Sequence, residues 1–214
     1  MKINLEILDS AFIYAPTQIE ELNTKELVPK MVTRRRLTRA SKIAIYLASQ
    51  TSFENGRIIY GTQYGEAAAT STILNSINNK ENISPTVFQN SVYNTAVSYL
   101  SIISGNKNEI TTISSGDKTS LNVLKSGAIK ALDGDTILLI CCETLNIENI
   151  EKINSCIDFL ECGVALKVKI TNKVKTLEFT DKTINEKIPK SISDMVNIVK
   201  NLNSDKENII EINI

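Results

Sequence analysis

The stretch that best places reactive side chains is Ser114-Ser115-Gly116-Asp117. It follows a short β-branched run, Glu109-Ile110-Thr111-Thr112-Ile113, and precedes a helical stretch from about Thr119 to Leu132. A strand-to-helix turn of this kind faces the free N–H groups of the helix, which favour an anion. Two hydroxyls and a carboxylate sit there; the chemistry to weigh is nucleophilic attack by Ser114 or Ser115, with Asp117 a gating or binding group if it is more than a cap. Neither serine has its usual helper. The chain contains no histidine, the common base near neutral pH and the commonest metal ligand, so Ser114 and Ser115 lack an activating imidazole. Asp117 reads most simply as a helix cap. Tyr93 and Asn94 are candidate ligand-binding or loop-closing residues, with packing the simpler role for Tyr93 and Tyr99. Cys141 and Cys142 lie mid-strand and Cys162 sits beside Gly163, where a thiol serves as a small hydrophobe. Four cysteines at irregular spacing form neither a zinc pattern nor a disulfide framework, and no metal or cofactor is expected.

Length and composition bound the rest. At 214 residues, 42% apolar and 22% charged, the chain can bury one substantial core, and a single domain over 1–214 is expected. Lys plus Arg equals Asp plus Glu at 24 each, so nothing favours nucleic acid or an anionic membrane as partner. No run approaches the roughly 18 apolar residues of a membrane span. The start, Met1-Lys2-Ile3-Asn4-Leu5-Glu6, lacks the apolar core of a signal peptide. A reducing cytoplasm is the expected location.

The elements that position the turn follow from periodicity. Ile3, Leu5 and Ile7 alternate with polar residues and predict a strand that ends at Pro16. Residues Thr17 to Lys30 are expected as an exposed connection. A helix is predicted from Thr33, with Leu37, Ala40, Ala44, Leu47 and Ala48 on one face and Arg34, Arg35, Arg36 and Arg39 at one end. Those arginines read either as a solvated ion-pair cluster or as a docking patch for an acidic carrier or partner. Arg57 to Thr62 predicts a short buried strand, and Ala67 to Ile77 a helix with Ala68, Ser71, Leu74 or Ile73, and Ile77 inward. Gly61 and Gly65 lack a phosphate-loop pattern and are better explained by close packing of helix on strand. Thr136 to Cys142 predicts a buried strand, and Asn146 to Ser155 a surface loop or short helix. A strand over Phe159 to Ile170 is expected to form a hairpin with Thr176 to Phe179. Pro189 suits the first turn of a last helix bearing Ile192, Met195, Val199 and Leu202, and Asn208 to Ile214 predicts an edge strand.

The order is β-α-β-α-β-α-β-β with a mixed sheet and a C-terminal helix, an α/β domain. It resembles the N-terminal half of the thiolase fold as found in β-ketoacyl synthases, most closely the small "β-ketoacyl synthase-like, N-terminal" family. The residues that carry the resemblance are Arg34-Arg35-Arg36-Leu37-Thr38-Arg39, the turn Gly61-Thr62-Gln63-Tyr64-Gly65-Glu66, and Leu132-Asp133-Gly134-Asp135. The most specific is Ser84-Pro85-Thr86-x-Phe88-x-x-Ser91-Val92-x-Asn94-x-Ala96. The likeness runs to about Ile170.

The resemblance implies a type II polyketide or fatty-acid-like pathway, including aryl polyene synthesis, in which a ketosynthase extends acyl chains on an acyl carrier protein. Active ketosynthases carry a cysteine at the helix N-terminus, because the dipole favours a thiolate. That slot falls here at about Asp117, and the histidines of the family lie in a C-terminal half that this chain lacks. The resemblance therefore implies a catalytically inert accessory subunit similar to a chain-length factor, with enzyme activity an open question. In thiolase-fold proteins the strand matching Glu109 to Ser114 pairs across a dimer, so Glu109, Ile110, Thr111, Thr112 and Ile113 become the expected association strand. Homodimers, or heterodimers with a ketosynthase-family subunit, are expected, and Thr111→Pro is expected to break them. The alternative is an acyltransferase or thioester hydrolase using Ser115, Asp117 and Tyr93.

Overall fold

The computed structural model describes residues 1–147, 150, 160–177, 187–202 and 208–214. The apolar run expected to be buried is strand β4, Ile137–Leu145, and every residue of it is buried. Apolar side chains on both faces demand cover on both faces. Ile137, Leu139 and Cys141 point into one core and Leu138, Ile140 and Cys142 into the other. Around β4 lie β1 (Lys2–Ala15), β2 (Arg57–Gly61), β3 (Ile110–Ile113), β5 (Leu160–Ile170) and β6 (Ile209–Asn213), in the order β3-β2-β4-β5-β1-β6. β2 is parallel to both β3 and β4, and β5 runs antiparallel between β4 and β1. β6 flanks β1 antiparallel. A register slip between Ile7 and Asp9 turns Leu8 out to solvent.

The helices are α1 (Thr24–Leu27), α2 (Met31–Arg34), α3 (Arg39–Gln50), α4 (Ala67–Asn78), α5 (Pro85–Asn90), α6 (Thr95–Ser104), α7 (Thr119–Ala131) and α8 (Lys190–Asn201). α3 and α6 cover one face, burying Ile43, Leu47, Val97 and Leu100 against Ile58, Leu138 and Ile140. α7 and α8 cover the other, burying Val123, Ala128, Ile192 and Met195 against Ile59, Leu139 and Leu166. Each large aliphatic side chain so buried contributes about 1.5–3 kcal/mol. α7 approaches the sheet closely because Gly61 faces it. A Cβ on Gly61 would stand 2.6 Å from Val123 Cγ2, 2.8 Å from Cys141 Sγ and 2.9 Å from Thr119 Cγ2. Gly61→Ala is therefore expected to destabilise by about 1–3 kcal/mol in urea unfolding.

Several expectations need correcting. Arg34, Arg35 and Arg36 precede α3, which Arg39 opens: Thr38 caps the helix, accepting from Ser41 N, and α2 is a separate turn. The Thr17–Lys30 connection is not simply exposed, because Ile19, Leu22 and Val28 are buried in the α3 core. α4 has no inward face of the expected kind, and Leu74 and Ile77 are exposed at 60% and 57%. Its periodicity is that of an amphipathic helix, but the helix stands outside both cores. Last, Thr176 does not extend a hairpin with β5, both of whose edges are already taken by β4 and β1. The amides of Thr176 and Leu177 donate instead to Ile209 O. Glu178, Phe179, Phe159 and most of the Asn146–Ser155 stretch lie outside the described residues. Pro189 caps α8 instead of opening its first turn. No described helix is long and apolar enough to cross a membrane.

Candidate functional site

β3 delivers Ser114 to the end of the sheet where β2 also finishes, while the parallel strand β4 runs on past Cys141 to Leu145. Ser114 and Ser115 are exposed, Gly116 takes φ +58°, and Gly116–Lys118 forms a 3-10 turn leading into α7. The turn is tied by Thr119. Its hydroxyl accepts from Ser115 N (3.0 Å) and donates to Gly116 O (2.7 Å). Asp117, expected as a cap, makes no capping hydrogen bond. It is exposed, with Lys190 Nζ of α8 4.0 Å away, a contact worth little in water.

Directly inward lies Glu143, fully buried at the end of β4. Its carboxylate accepts from Thr62 Oγ1 (2.9 Å), Gln63 N (2.7 Å), Tyr64 N (3.2 Å) and Ser191 Oγ (2.7 Å). Burial pushes this carboxyl up while those donors pull it down, burial being the stronger. With both oxygens engaged, Glu143 fastens the β2–α4 turn and the head of α8 to the sheet. Burial, with the Glu143 and Asp117 charges, holds the neighbouring Tyr64 phenol above its usual range. The Cys141, Cys142 and Cys162 thiols are buried and pushed well up by that burial, the opposite of what a thiolate nucleophile needs. Among the described residues no cluster suited to a metal ion occurs.

The free edge of β3 is the second feature of this end of the molecule. Ile58 N donates to Glu109 O and Thr62 N to Ile113 O, so by strand alternation the N–H and C=O of Thr111 also face β2. Those of Ile110 and Thr112 face outward. Glu109 is tied to α7 through Lys130 Nζ (2.7 Å), whose hydrogen bond holds the carboxyl below its usual range. Between β3 and α6 runs a groove of about 450 Å³ lined by Tyr93, Asn94, Val97, Ser98, Ile110, Thr112 and Ser114. It brings together four groups singled out in the sequence: Tyr93, Asn94, Ser114 and the association strand. A second groove of about 210 Å³ shares Asn94 and Ser98 and reaches Val92 and Ile102. Tyr93 lies on Gly65, where a Cβ would come within 3.2 Å of its ring, and its hydroxyl donates to Gln63 O (3.4 Å). Asn94 makes no capping hydrogen bond to α6.

The four arginines do not form one outward face. Arg34 donates to Val28 O (2.8 Å) and Pro29 O (2.6 Å). Arg39 is turned inward: Nε donates to Glu161 Oε1 (2.6 Å) and Nη2 to Glu161 Oε2 and Ile19 O. Arg35 and Arg36 are exposed. Glu143 and Glu161 were missed as anchors in the sequence. The signal was there, since each is a charged residue inside an apolar run, Cys141-Cys142-Glu143-Thr144-Leu145 and Leu160-Glu161-Cys162-Gly163-Val164.

Strand order, the turn heading α7 and the half-sheet it rests on define a thiolase-like, ketosynthase-type half fold. The chain belongs to the beta-ketoacyl synthase N-terminal domain family, whose profile matches residues 11–210, well past the expected end near Ile170. No curated protein matches it. Among solved structures it is similar to a chain of the ketosynthase (ApeO) in complex with its chain length factor (ApeC) from Xenorhabdus doucetiae, with TM-score 0.68 and 21% identity over 90% of each chain. It is also similar to the ishigamide ketosynthase/chain length factor, with TM-score 0.63 and 11% identity over 82% of this chain and 64% of that one. A beta-ketoacyl synthase from Burkholderia phymatum STM815 gives TM-score 0.58 and 10% identity over 79% and 59%.

Proposed function

We propose that this protein is a non-catalytic, chain-length-factor-like subunit that acts by associating with a ketosynthase-family partner in a type II polyketide or fatty-acid-like pathway, aryl polyene synthesis among them. The observation that carries this reading is the outer edge of β3, unpaired among the described residues, with outward N–H and C=O groups on Ile110 and Thr112 beside the grooves of α6. An edge of this kind accepts a strand from a second chain. The likeness to a chain of the ApeO–ApeC complex, over 90% of each chain, supports this reading. The reactive turn supports a non-catalytic role: it offers Asp117 and two serines, and the chain has no histidine to activate them. Arg35 and Arg36 are the arginines left to meet an acidic carrier protein.

The register redirects the test. A proline at Thr111 would break pairing with β2 inside the chain, whereas Thr112→Pro removes an outward amide and blocks the edge. Association of Thr112→Pro, with itself or with a co-expressed ketosynthase partner, is expected to be roughly tenfold to a hundredfold weaker than wild type. Light scattering and co-purification measure this. An unchanged oligomer mass with a native circular dichroism spectrum would sink the proposal.

A further inference from the structure

Residues 67–92 form an arm that leaves the body after Glu66 and returns at Tyr93. It contains α4 and α5, and none of its residues is buried. Its two ends are held at one place. At the return, the Tyr93 ring lies on Gly65 and its hydroxyl reaches Gln63 O. At the departure stands Glu66, whose backbone carbonyl accepts from Thr70 N to start α4. Unlike everything beyond it, Glu66 is buried, at 6% exposure.

The Glu66 carboxyl sits in a poor place for a charge. Its side-chain hydrogen bond comes from Thr38 Oγ1 (2.7 Å), the hydroxyl that also caps α3 by accepting from Ser41 N. No described Lys or Arg forms an ion pair with it, and Arg39, next to Thr38, is committed to Glu161. The titratable groups around it are Tyr60 from β2 and Cys142 from β4, both fully buried with their protons held on by burial, and Glu143, which acts on the same two groups. From α3 come the Thr38 and Ser41 hydroxyls. Glu66 occupies the N-cap position of α4 yet makes no capping bond there, so the helix dipole is not used to hold an anion.

We propose that Glu66 is a proton-dependent latch for the α4–α5 arm, closed on Thr38 when the carboxyl is neutral and loosened when it ionises. Burial raises the Glu66 carboxyl to about 7, against a lowering from Thr38. A carboxyl raised in the closed form keeps its full contribution below the ordinary value near 4.5. That contribution is lost as pH climbs to about 7 and stays level above it. The arm is therefore docked in mildly acidic solution and loosened at and above neutrality. The regulated quantity is exposure of the arm's root at Glu66, whatever the protein associates with.

The test is amide hydrogen exchange of residues 67–92 by mass spectrometry, expressed as protection factors so that the intrinsic pH dependence cancels. Wild type is expected to lose roughly twenty- to thirtyfold protection in the arm between pH 5.5 and 8.5, most of it below pH 7.5. Glu66→Gln, which keeps an acceptor for Thr38 and cannot ionise, is expected to stay protected across that range. A carboxyl carbon titration of Glu66 by NMR reads the same event without any variant. Protection that is flat in wild type, or that falls equally in Glu66→Gln, overturns the latch, as does a Glu66 titration near 4.5.

Discussion

Arg39→Ala is expected to lower stability by about 3–5 kcal/mol in urea unfolding. The size follows from what is left behind. Glu161 has a fully buried side chain, and Arg39 answers both of its oxygens. The other donor to it is the amide of Ile19 (2.9 Å), and Arg39 in turn holds Ile19 O. Removing the guanidinium strands a charge beside the α3 core, where Ile19 is buried, and releases the Ile19–Val28 connection from the sheet. Arg39→Lys is not a rescue, because an ammonium cannot make the bidentate contact and reach Ile19 O as well. A paired replacement by apolar residues, Arg39→Met with Glu161→Leu, is expected to recover most of the loss, since the cost lies in the unpaired charge rather than in the missing attraction. Additive losses in that cycle would show the two residues to be uncoupled.

Glu143→Ala is expected to cost a similar amount, about 3–5 kcal/mol, by a different route. Here the groups left unmet are donors: the Gln63 and Tyr64 amides and the Thr62 and Ser191 hydroxyls. The amides cannot turn elsewhere without opening the β2–α4 turn. The loss should therefore be local as well as global, with faster hydrogen exchange at Gln63 and Tyr64 and at the head of α8, even where the fold survives. Glu143→Gln keeps an acceptor oxygen but aims an NH₂ group at a donor, and about 1–3 kcal/mol is expected for it. Equal exchange at Gln63 in wild type and Glu143→Ala would show that the carboxylate is no fastener.

The parts of this fold that sequence could show are those set by local periodicity. The inward face of α3, the continuous apolar run of β4 and the Ile192–Met195 face of α8 each follow from spacing within one element. So does the strand-to-helix turn at Ser114–Asp117. What could not be read is what an element meets. The apolar spacing of α4 is genuine, but it cannot say that Leu74 and Ile77 face away from both cores. The arginine cluster is conspicuous, but only a contact across 122 residues turns Arg39 inward. The choice between Thr111 and Thr112 depends on the register with β2, which no feature of β3 alone encodes.

The position of β1 sets a clock on biosynthesis. Its two neighbours in the sheet are β5 and β6, so β1 has no partner until residue 160 is available, 145 residues after β1 ends at 15. At ordinary rates of translation that is a wait of roughly 7–30 s. For that time Ile3, Leu5 and Ile7, all buried later, ride on an unpaired strand outside the ribosome. Folding dominated by such long-range pairing is slow, and a holdase-type chaperone that recognises extended apolar segments would find its target at residues 3–15.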